Sequence, residues 1–452
     1  MKVFVCTVCI FASAIAGGIC RAQAAAGSND LAPYAALFQD STPAQATAPP
    51  LTLNDVEQVA LARSPEIAVA SRRVAVAEAH VPVAGALDDP MAMYRGWGVP
   101  LRQPWNFNDA QNMFSISQTF SGAGKRALRT SVAGSDVDVA KAQLDEVRLD
   151  VRVRVHKAFD DLLLAQNEMA IHHQHVAIAR QAIEAARIQY TVGKGPQQDM
   201  LKAQVALTLL AEHMIRFDHD AALAQARLNT LLGRDPDTPV SVAGQFAVVD
   251  ALPEARTLDT VALRSRPDLM AAEQAAARSH TEQALAKKAY LPDFTVSGGY
   301  MLMPAGTPTR NDYMVEASIN LPWLNRRKHD AEIAEATART TEQDAELSSL
   351  RNVAFGQIQD ALVEAQAAQK LAHVYHDQLR PQAEATLESS VIAYENDKTS
   401  FLNLLDSQMT VINVDLAWLD AVADFDTRLA DLELATGAPL EQSTTPATEV
   451  KP

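Results

Sequence analysis

The sequence predicts a mostly α-helical fold that is built twice and carries, in each copy, two β-strands of the kind that form membrane β-barrels. Three observations support this prediction. A set of residues recurs 202 to 204 positions later in the chain. In both copies the spacing of apolar residues predicts the same order of elements: a helix, two strands, a long helix, a turn and a helix. The long helix also exceeds the length that a globular domain uses.

The duplication is visible in residues that recur at a fixed spacing, which is the mark of an internal repeat. At 202 positions, Pro65 recurs as Pro267, Pro90 as Pro292, Gly96 as Gly298 and Lys125-Arg126 as Arg327-Lys328; at 204 positions, Tyr190 recurs as Tyr394 and Gly233 as Gly437. We therefore expect two repeats, at 51–250 and 256–437.

Helical periodicity predicts three helices in each repeat. They span about 52–85, 125–190 and 197–232 in the first repeat and about 257–288, 325–395 and 399–436 in the second, with a kink expected at Pro381. At ~1.5 Å per residue, the helix over 125–190 is a rod of about 100 Å. The two shorter helices together match its length, so we expect them to be stacked end to end beside it.

Each repeat also contains two segments in which apolar and polar residues alternate, as in a half-exposed strand; these segments span about 89–99, 111–121, 291–303 and 312–322. Phe114 and Ile116 share an apolar face, whereas Ser115 and Ser117 share a polar one. Such strands suit a membrane barrel, but a soluble β-sandwich fits the alternation equally well. The very long helices favour the barrel, because a sandwich domain needs none.

The stretch ISQTFSGAGKR at 116–126 joins the second strand to the long helix. It resembles a phosphate-binding loop, but that motif requires a glycine where Thr119 stands and a Ser or Thr where Arg126 stands. We interpret it instead as the seam between the barrel and the helices. Gly122 and Gly124 would relax the backbone there, and Lys125 and Arg126 would face lipid headgroups or water. Arg327 and Lys328 are expected to repeat this chemistry in the second copy.

The net charge of −16 excludes a dominant basic surface, and we expect no nucleic-acid partner. The first residues predict a signal peptide over 1–24 that is cleaved after Ala24, followed by a flexible segment over 25–50. Cleavage would remove all 3 cysteines. Lipid attachment at Cys20 is the alternative. A disordered tail is expected over 438–452.

Two groups of possible metal ligands do not amount to a predicted site. His172 and His175 lie three residues apart but lack a third ligand, and His172 falls on the packing face of its helix. Methionines recur in corresponding strands and could bind copper, although methionine is more often apolar filling; they are Met91, Met93, Met301 and Met303. The sequence has no catalytic motif, so we expect neither an enzyme nor a cofactor.

The chain resembles the TolC-like outer membrane factors. The resemblance covers 51–437 and rests on the duplicated order of elements, on YTVGKGPQQDMLKAQ and YENDKTSFLNLLDSQ at the turns, and on LNTLLGRDPD. DDPMAMY together with SQTFSGAGKRALR is most similar to the heavy-metal efflux branch. The resemblance implies a homotrimer with a twelve-stranded β-barrel, continuous with a long helical coiled-coil barrel. It also implies a passive exit duct in the outer membrane of a Gram-negative cell, with a long periplasmic extension, a periplasmic adaptor and an RND-type inner-membrane pump.

The resemblance further implies a pore constriction at the periplasmic tip. The positions that correspond to it are Tyr394, Asp406, Asn403 and, in the first repeat, Asp199. Asn403 departs from the family pattern, in which a carboxylate is expected. Without the resemblance, these side chains would be interpreted as solvated turn residues. A multidrug or type I secretion duct, and an exported coiled-coil scaffold, are the alternative functions.

Overall fold

The computed structural model describes residues 49–99, 101–102, 107–193, 195–249, 251–304, 306–309, 311–396 and 398–440. The predicted signal peptide over 1–24 lies outside the described residues. So do most of the segment over 25–50 and most of the tail over 438–452.

The first repeat begins with two helices where the sequence predicted one. Helix α1 spans Leu53–Arg63 and α2 spans Pro65–Gly85. The break falls at Ser64 because a residue that precedes proline is disfavoured in the helical region, while Pro65 is well suited to start the next helix. Thr52 caps α1 in a reciprocal capping box with Asp55.

Two strands and two long helices complete the first repeat. Strands β1 and β2 are Met91–Trp97 and Gln111–Phe120. Helix α3 spans Lys125–Thr191, a length of 67 residues, and α4 spans Gln197–Leu231. The prediction of a rod-like helix followed by a turn and a half-length helix is confirmed.

The second repeat has the same order. Its elements are α5 (Ala255–Ser265), α6 (Pro267–Lys287), β3 (Phe294–Leu302), β4 (Asn311–Ile319), α7 (Arg326–Val374), α8 (Arg380–Glu395) and α9 (Phe401–Thr436). A π-helical turn, Tyr375–Leu379, separates α7 from α8. The sequence prediction of an interruption at Pro381 is therefore correct. Its physical cause is the missing N–H of proline and the clash of its ring with the preceding turn.

The half-length helices follow one another along each long helix, as predicted. Ion pairs fix their positions on α3: Glu66 of α2 pairs with Arg154, and Asp161 pairs with Arg227 of α4. Helix α2 therefore lies beside the first half of α3 and α4 beside the second. The second repeat is similar, since Arg351 of α7 pairs with Glu273 of α6, and Glu364 of α7 with Arg428 of α9.

The strands form one antiparallel sheet in the order β1-β2-β3-β4. The pairing of β2 with β3 joins the two repeats, with Phe120 opposite Phe294 at the end nearest the helices. Strands β1 and β4 form the edges of the sheet in the single chain.

The two faces of the sheet differ in chemistry, as the alternation predicted. One register line on the apolar face contains Tyr94, Phe114, Tyr300 and Tyr313. The exposed fractions of Tyr313 and Val315 on this face are 86% and 84%. The opposite face carries hydroxyl residues, and Thr119 and Thr295 are hydrogen-bonded across β2 and β3 at 2.9 Å. The sheet thus presents a large apolar surface that the single chain leaves exposed.

An extensive apolar core lies where α1, α2 and α4 meet the middle of α3, and it includes Val56, Val155, Phe159 and Leu228. These positions on α3 recur at helical spacing, which is why one stripe of the helix is buried. In the part of the chain that the structure describes, no helix is long and apolar enough to cross a membrane.

Candidate functional site

The seam between sheet and helices is built around a residue that the sequence did not single out. Asp293 precedes β3, and its Oδ1 accepts hydrogen bonds from Lys125 Nζ at 2.8 Å and from Gly122 N at 2.6 Å. The Asp293 backbone also exchanges bonds with Asn320, which follows β4. Asp293 thereby connects the ends of β2, β3 and β4, through its carboxylate on one side and its backbone on the other.

The two seam glycines have different roles. Gly124 has a φ of 83° and begins α3 in the left-handed region, which favours glycine. Gly122 is required by close approach, because a Cβ atom there would lie 2.8 Å from the carbonyl oxygen of Pro292. Each glycine therefore serves the change of direction for a different reason: Gly124 by its positive φ and Gly122 by its close packing.

The expected exposure of the seam cations is wrong for Lys125. Its side chain is buried and paired with Asp293, because the corner folds back on the start of β3. Arg126 is exposed, and its guanidinium donates to the carbonyl oxygen of Gly85 at 2.7 Å. It thus contacts the C-terminal end of α2, where a helix favours positive charge.

Arg327 and Lys328 do not repeat this arrangement. Both are exposed in α7, and Lys328 lies 3.6 Å from Glu332 on its own helix. The position equivalent to Asp293 in the first repeat holds Met91, which offers no acceptor carboxylate. The second repeat therefore has cations at the positions equivalent to Lys125 and Arg126 but lacks the buried ion pair.

The predicted constriction residues lie at one end of the helical bundle. Helices α3 and α9 are antiparallel, since Lys157 pairs with Asp431, and His175 lies near Asp415. The turn after α3 and the turn before α9 are therefore at the same end. Asp199 follows the loop after α3 and lies in the first turn of α4. Asp406 follows the loop before α9 and lies near the start of that helix.

The four tip side chains differ in their surroundings. Asp406 and Asn403 are exposed, whereas Asp199 and Tyr394 are half-buried. The Asn403 amide donates to Thr399 Oγ1 at 3.0 Å, and the Tyr394 ring lies edge-on to Phe401, with 6.0 Å between centroids. The single chain thus presents Asp406 at its tip surface.

The two histidines considered in α3 point to different helices. His172 Nε2 is 2.6 Å from the carbonyl oxygen of Leu210 in α4, and its ring stacks on His213. His175 Nε2 lies 3.8 Å from Asp415 of α9. They do not converge on one ion. The sheet register places Met91, Met93 and Met301 on its polar face.

Sequence reasoning missed a row of ionisable groups between α3 and α9, in which Asp160 is buried and His156, Glu168 and Asp426 are half-buried. Burial, reinforced by the carboxylate of Asp420, raises the pKa of Glu168 to about 8. Farther along the row, burial and then the carboxylate of Asp426 raise the pKa of Asp160 to about 9, and burial lowers the pKa of His156 to about 4. The available signal was the spacing of four between His156 and Asp160, which puts both on one helical face.

This geometry combines a duplicated helical bundle with a four-stranded, two-faced sheet, and a family model agrees with it along most of the chain. The model described as outer membrane efflux protein matches residues 56–234 and 260–438. The chain belongs to the outer membrane efflux protein family. Its role is therefore efflux at the outer membrane, and the prediction that it is not an enzyme is confirmed by this membership.

Individual relatives share low sequence identity with this outer membrane efflux protein, but the matches extend over most of the chain. It is 22% identical over 406 residues to nodulation protein T of Rhizobium leguminosarum bv. trifolii, covering 86% of each chain. It is 27% identical over 310 residues to the cobalt-zinc-cadmium resistance protein CzcC of Cupriavidus metallidurans, covering 66% of this chain and 70% of CzcC. The solved structure of CusC, studied for transmembrane channel formation, superposes with a TM-score of 0.72 at 17% identity, covering 85% of this chain and 92% of CusC.

Replacing Asp293 with alanine should destabilise this efflux protein by roughly 1 to 3 kcal/mol, because Lys125 and the Gly122 N–H lose their shared acceptor. The double variant Lys125→Met with Asp293→Ala should recover part of the loss, since it also removes the buried charge. Urea unfolding of the detergent-solubilised protein, followed by circular dichroism, measures both changes.

The matched control for this corner is Lys328→Ala, which removes an exposed cation and should change stability by less than about 0.5 kcal/mol. If Asp293→Ala were as well tolerated as the control, the corner would not depend on the Lys125 ion pair.

The pH dependence of stability should report the proton on Glu168. Its folded pKa is raised, so the stabilisation is complete below the usual carboxyl range and is lost as pH rises through about 8. Asp420 of α9 and Asp220 of α4 face it and both favour the protonated form. Glu168→Gln should therefore flatten the fall in stability between about pH 5 and pH 8, by at most ~1.4 kcal/mol per pH unit.

Unfolding free energies at several pH values would measure this slope. The control is Glu342→Gln on the exposed surface of α7, which should leave the slope as it is. An unchanged slope in Glu168→Gln would show that this carboxyl is ionised in the folded protein throughout the range.

Proposed function

We propose that the protein is the passive outer-membrane exit duct of a tripartite efflux system and works as a homotrimer. The observation that carries this proposal is the sheet, which has one broadly apolar face, one polar face and two edges, β1 and β4. Lipid cannot hydrogen-bond to the backbone of an edge strand, so a sheet that enters a membrane must close on itself.

Three copies of the 4-stranded sheet would close a twelve-stranded barrel. In that barrel the apolar face of Tyr313 and Val315 would face lipid, and the hydroxyl face would line the lumen. The superposition on CusC over 85% of the chain supports the same architecture. Symmetric closure by identical chains is the usual way in which such edges are paired.

In this arrangement the two repeats, at 51–250 and 256–437, contribute equivalent halves. Their helices would extend the barrel into the periplasm of a Gram-negative cell. The tip would meet a periplasmic adaptor and an RND-type inner-membrane pump, which supplies the energy. Family membership and the rod length of α3, 67 residues or about 100 Å, support this extension.

We propose heavy-metal cations as the substrates. The support is the similarity to CzcC, whose name states resistance to cobalt, zinc and cadmium, together with the seam sequence SQTFSGAGKRALR. Nodulation protein T, which matches a larger share of the chain, bears no metal in its name. A drug or protein substrate for the same duct is therefore the second candidate.

A deletion strain should become more sensitive to zinc, cobalt and cadmium than to organic drugs, because a pump that lacks its exit duct cannot discharge its substrate. Minimal inhibitory concentrations with and without the gene on a plasmid measure this. A strain with unchanged metal tolerance and greater drug sensitivity would assign the duct to the second candidate instead.

We further propose that Asp406, Asp199 and Tyr394 form the constriction, with Asn403 contributing an uncharged position to the ring. In a trimer each side chain would face two copies of itself. Acidic rings select cations, and like charges in a ring oppose tight closure. The exposure of Asp406 at the tip supports this assignment.

Single-channel conductance in planar bilayers tests the constriction. Asp406→Ala and Asp199→Ala should reduce cation preference. Tyr394→Phe should favour opening by about 1 kcal/mol per chain, because it removes the hydroxyl that would donate a hydrogen bond in the closed ring. Asp424→Ala, an exposed carboxylate far along α9, is the matched control and should conduct like the wild type. If the tip variants also conduct like the wild type while trimers form, the constriction lies elsewhere.

A further inference from the structure

Between α3 and α9, three side chains converge that no predicted site contains. His156 and Asp160 of α3 and Asp426 of α9 each direct a ligand atom to one place, and these atoms lie within 4.8 Å of one another. Among the residues that the structure describes, they are the one group of three or more His, Cys, Asp or Glu side chains with this geometry.

The local geometry suits ligation better than direct pairing. His156 Nε2 lies 3.6 Å from Asp160 Oδ2, which is longer than a normal hydrogen bond. Two ligand atoms that share a metal ion at ~2.0–2.2 Å are themselves roughly 3 to 4 Å apart. The spacing of four residues holds His156 and Asp160 on one face of α3, and Asp426 approaches them from the facing helix.

A second, independent observation points to a ligand. Asp160 is 3% exposed, and its Oδ2 has no hydrogen-bond partner within the described part of the chain. A buried carboxylate oxygen without a partner is costly, and a bound water molecule or ion normally completes such an atom. This oxygen also lies 3.6 Å from His156 Nε2, on the side of Asp160 that faces the other α3 member of the group.

The surrounding charges favour a cation. Asp161 and Glu433 add negative potential near Asp160 and Asp426. The two cations that act on His156, Arg152 and Lys157, are both already paired, Arg152 with Glu57 and Lys157 with Asp431. The second ion pair holds α3 and α9 in register beside the group. A positive ligand would therefore enter a preformed acidic position between fixed helices.

We propose that His156, Asp160 and Asp426 bind one divalent transition-metal ion, with zinc as the best match. One imidazole nitrogen and two carboxylate oxygens suit zinc, and three protein ligands leave a fourth position for water. The ion would clamp the long helix of the first repeat to the last helix of the second. This assignment does not depend on the proposed substrate, because the ion is held inside the helix interface as a structural component.

The test uses the full-length protein in detergent after chelation and dialysis. Zinc titration by calorimetry should give one site per chain, and cobalt should produce the visible absorption of a low-symmetry, four-coordinate site. Saturating zinc should also raise the midpoint of thermal unfolding, since it binds the folded chain preferentially.

Asp160→Asn and Asp426→Asn should each weaken zinc binding by more than about tenfold and remove most of the rise in the unfolding midpoint. Asp160→Asn keeps the shape of the side chain and removes a buried acid, so its zinc-free form should be at least as stable as the wild type. The matched control is Asp377→Asn, which changes an exposed His373–Asp377 pair with the same spacing and should bind zinc like the wild type.

Wild-type protein that shows neither a stoichiometric site nor a shifted midpoint overturns the proposal without any variant. Folded Asp160→Asn and Asp426→Asn proteins that bind zinc like the control also overturn it. The duct proposal would stand in either case, because conductance and metal tolerance are measured separately.

Discussion

The antiparallel pairing of β2 with β3 is the contact on which the rest of the architecture depends. It is the place where the two repeats share one sheet, and it sets Phe120 opposite Phe294. Helix α3 begins shortly after β2, and α6 ends shortly before β3, so the pairing forces these helices to leave the sheet side by side. Asp136 of α3 and Arg278 of α6 accordingly form an ion pair at 2.7 Å.

The corner below this pairing converts a strand into a helix within a few residues. Such a turn brings backbone atoms close together, and the structure accommodates this with a residue that has no side chain at Gly122 and one shared acceptor at Asp293. The second repeat makes its corner without this ion pair. The duplication has therefore kept the path of the chain while the stabilising contacts have diverged, which is possible because main-chain geometry can be satisfied by more than one set of side chains.

The interface between α3 and α9 differs from the other contacts of α3. Against α1, α2 and α4 the long helix buries an apolar stripe, whereas against α9 it places half-buried and buried ionisable groups, from His156 to His175. Polar contacts of this kind are weaker sources of stability than apolar packing, but they depend strongly on register. The α3–α9 contact between the repeats is thus rich in groups that respond to protons and cations, while apolar packing holds α3 to the other helices of its own repeat.

The sequence by itself determined the duplication, the order of helices and strands, the two-faced sheet and the length of α3, because each follows from local periodicity. The tertiary structure decided what each charged side chain contacts. Lys125 looked like a headgroup-facing cation because its partner, Asp293, is 168 residues away, and His156 and Asp160 looked unremarkable until α9 supplied Asp426. Which distant helix covers a given face depends on strand pairing and helix register, and neither quantity is encoded in the spacing of nearby residues.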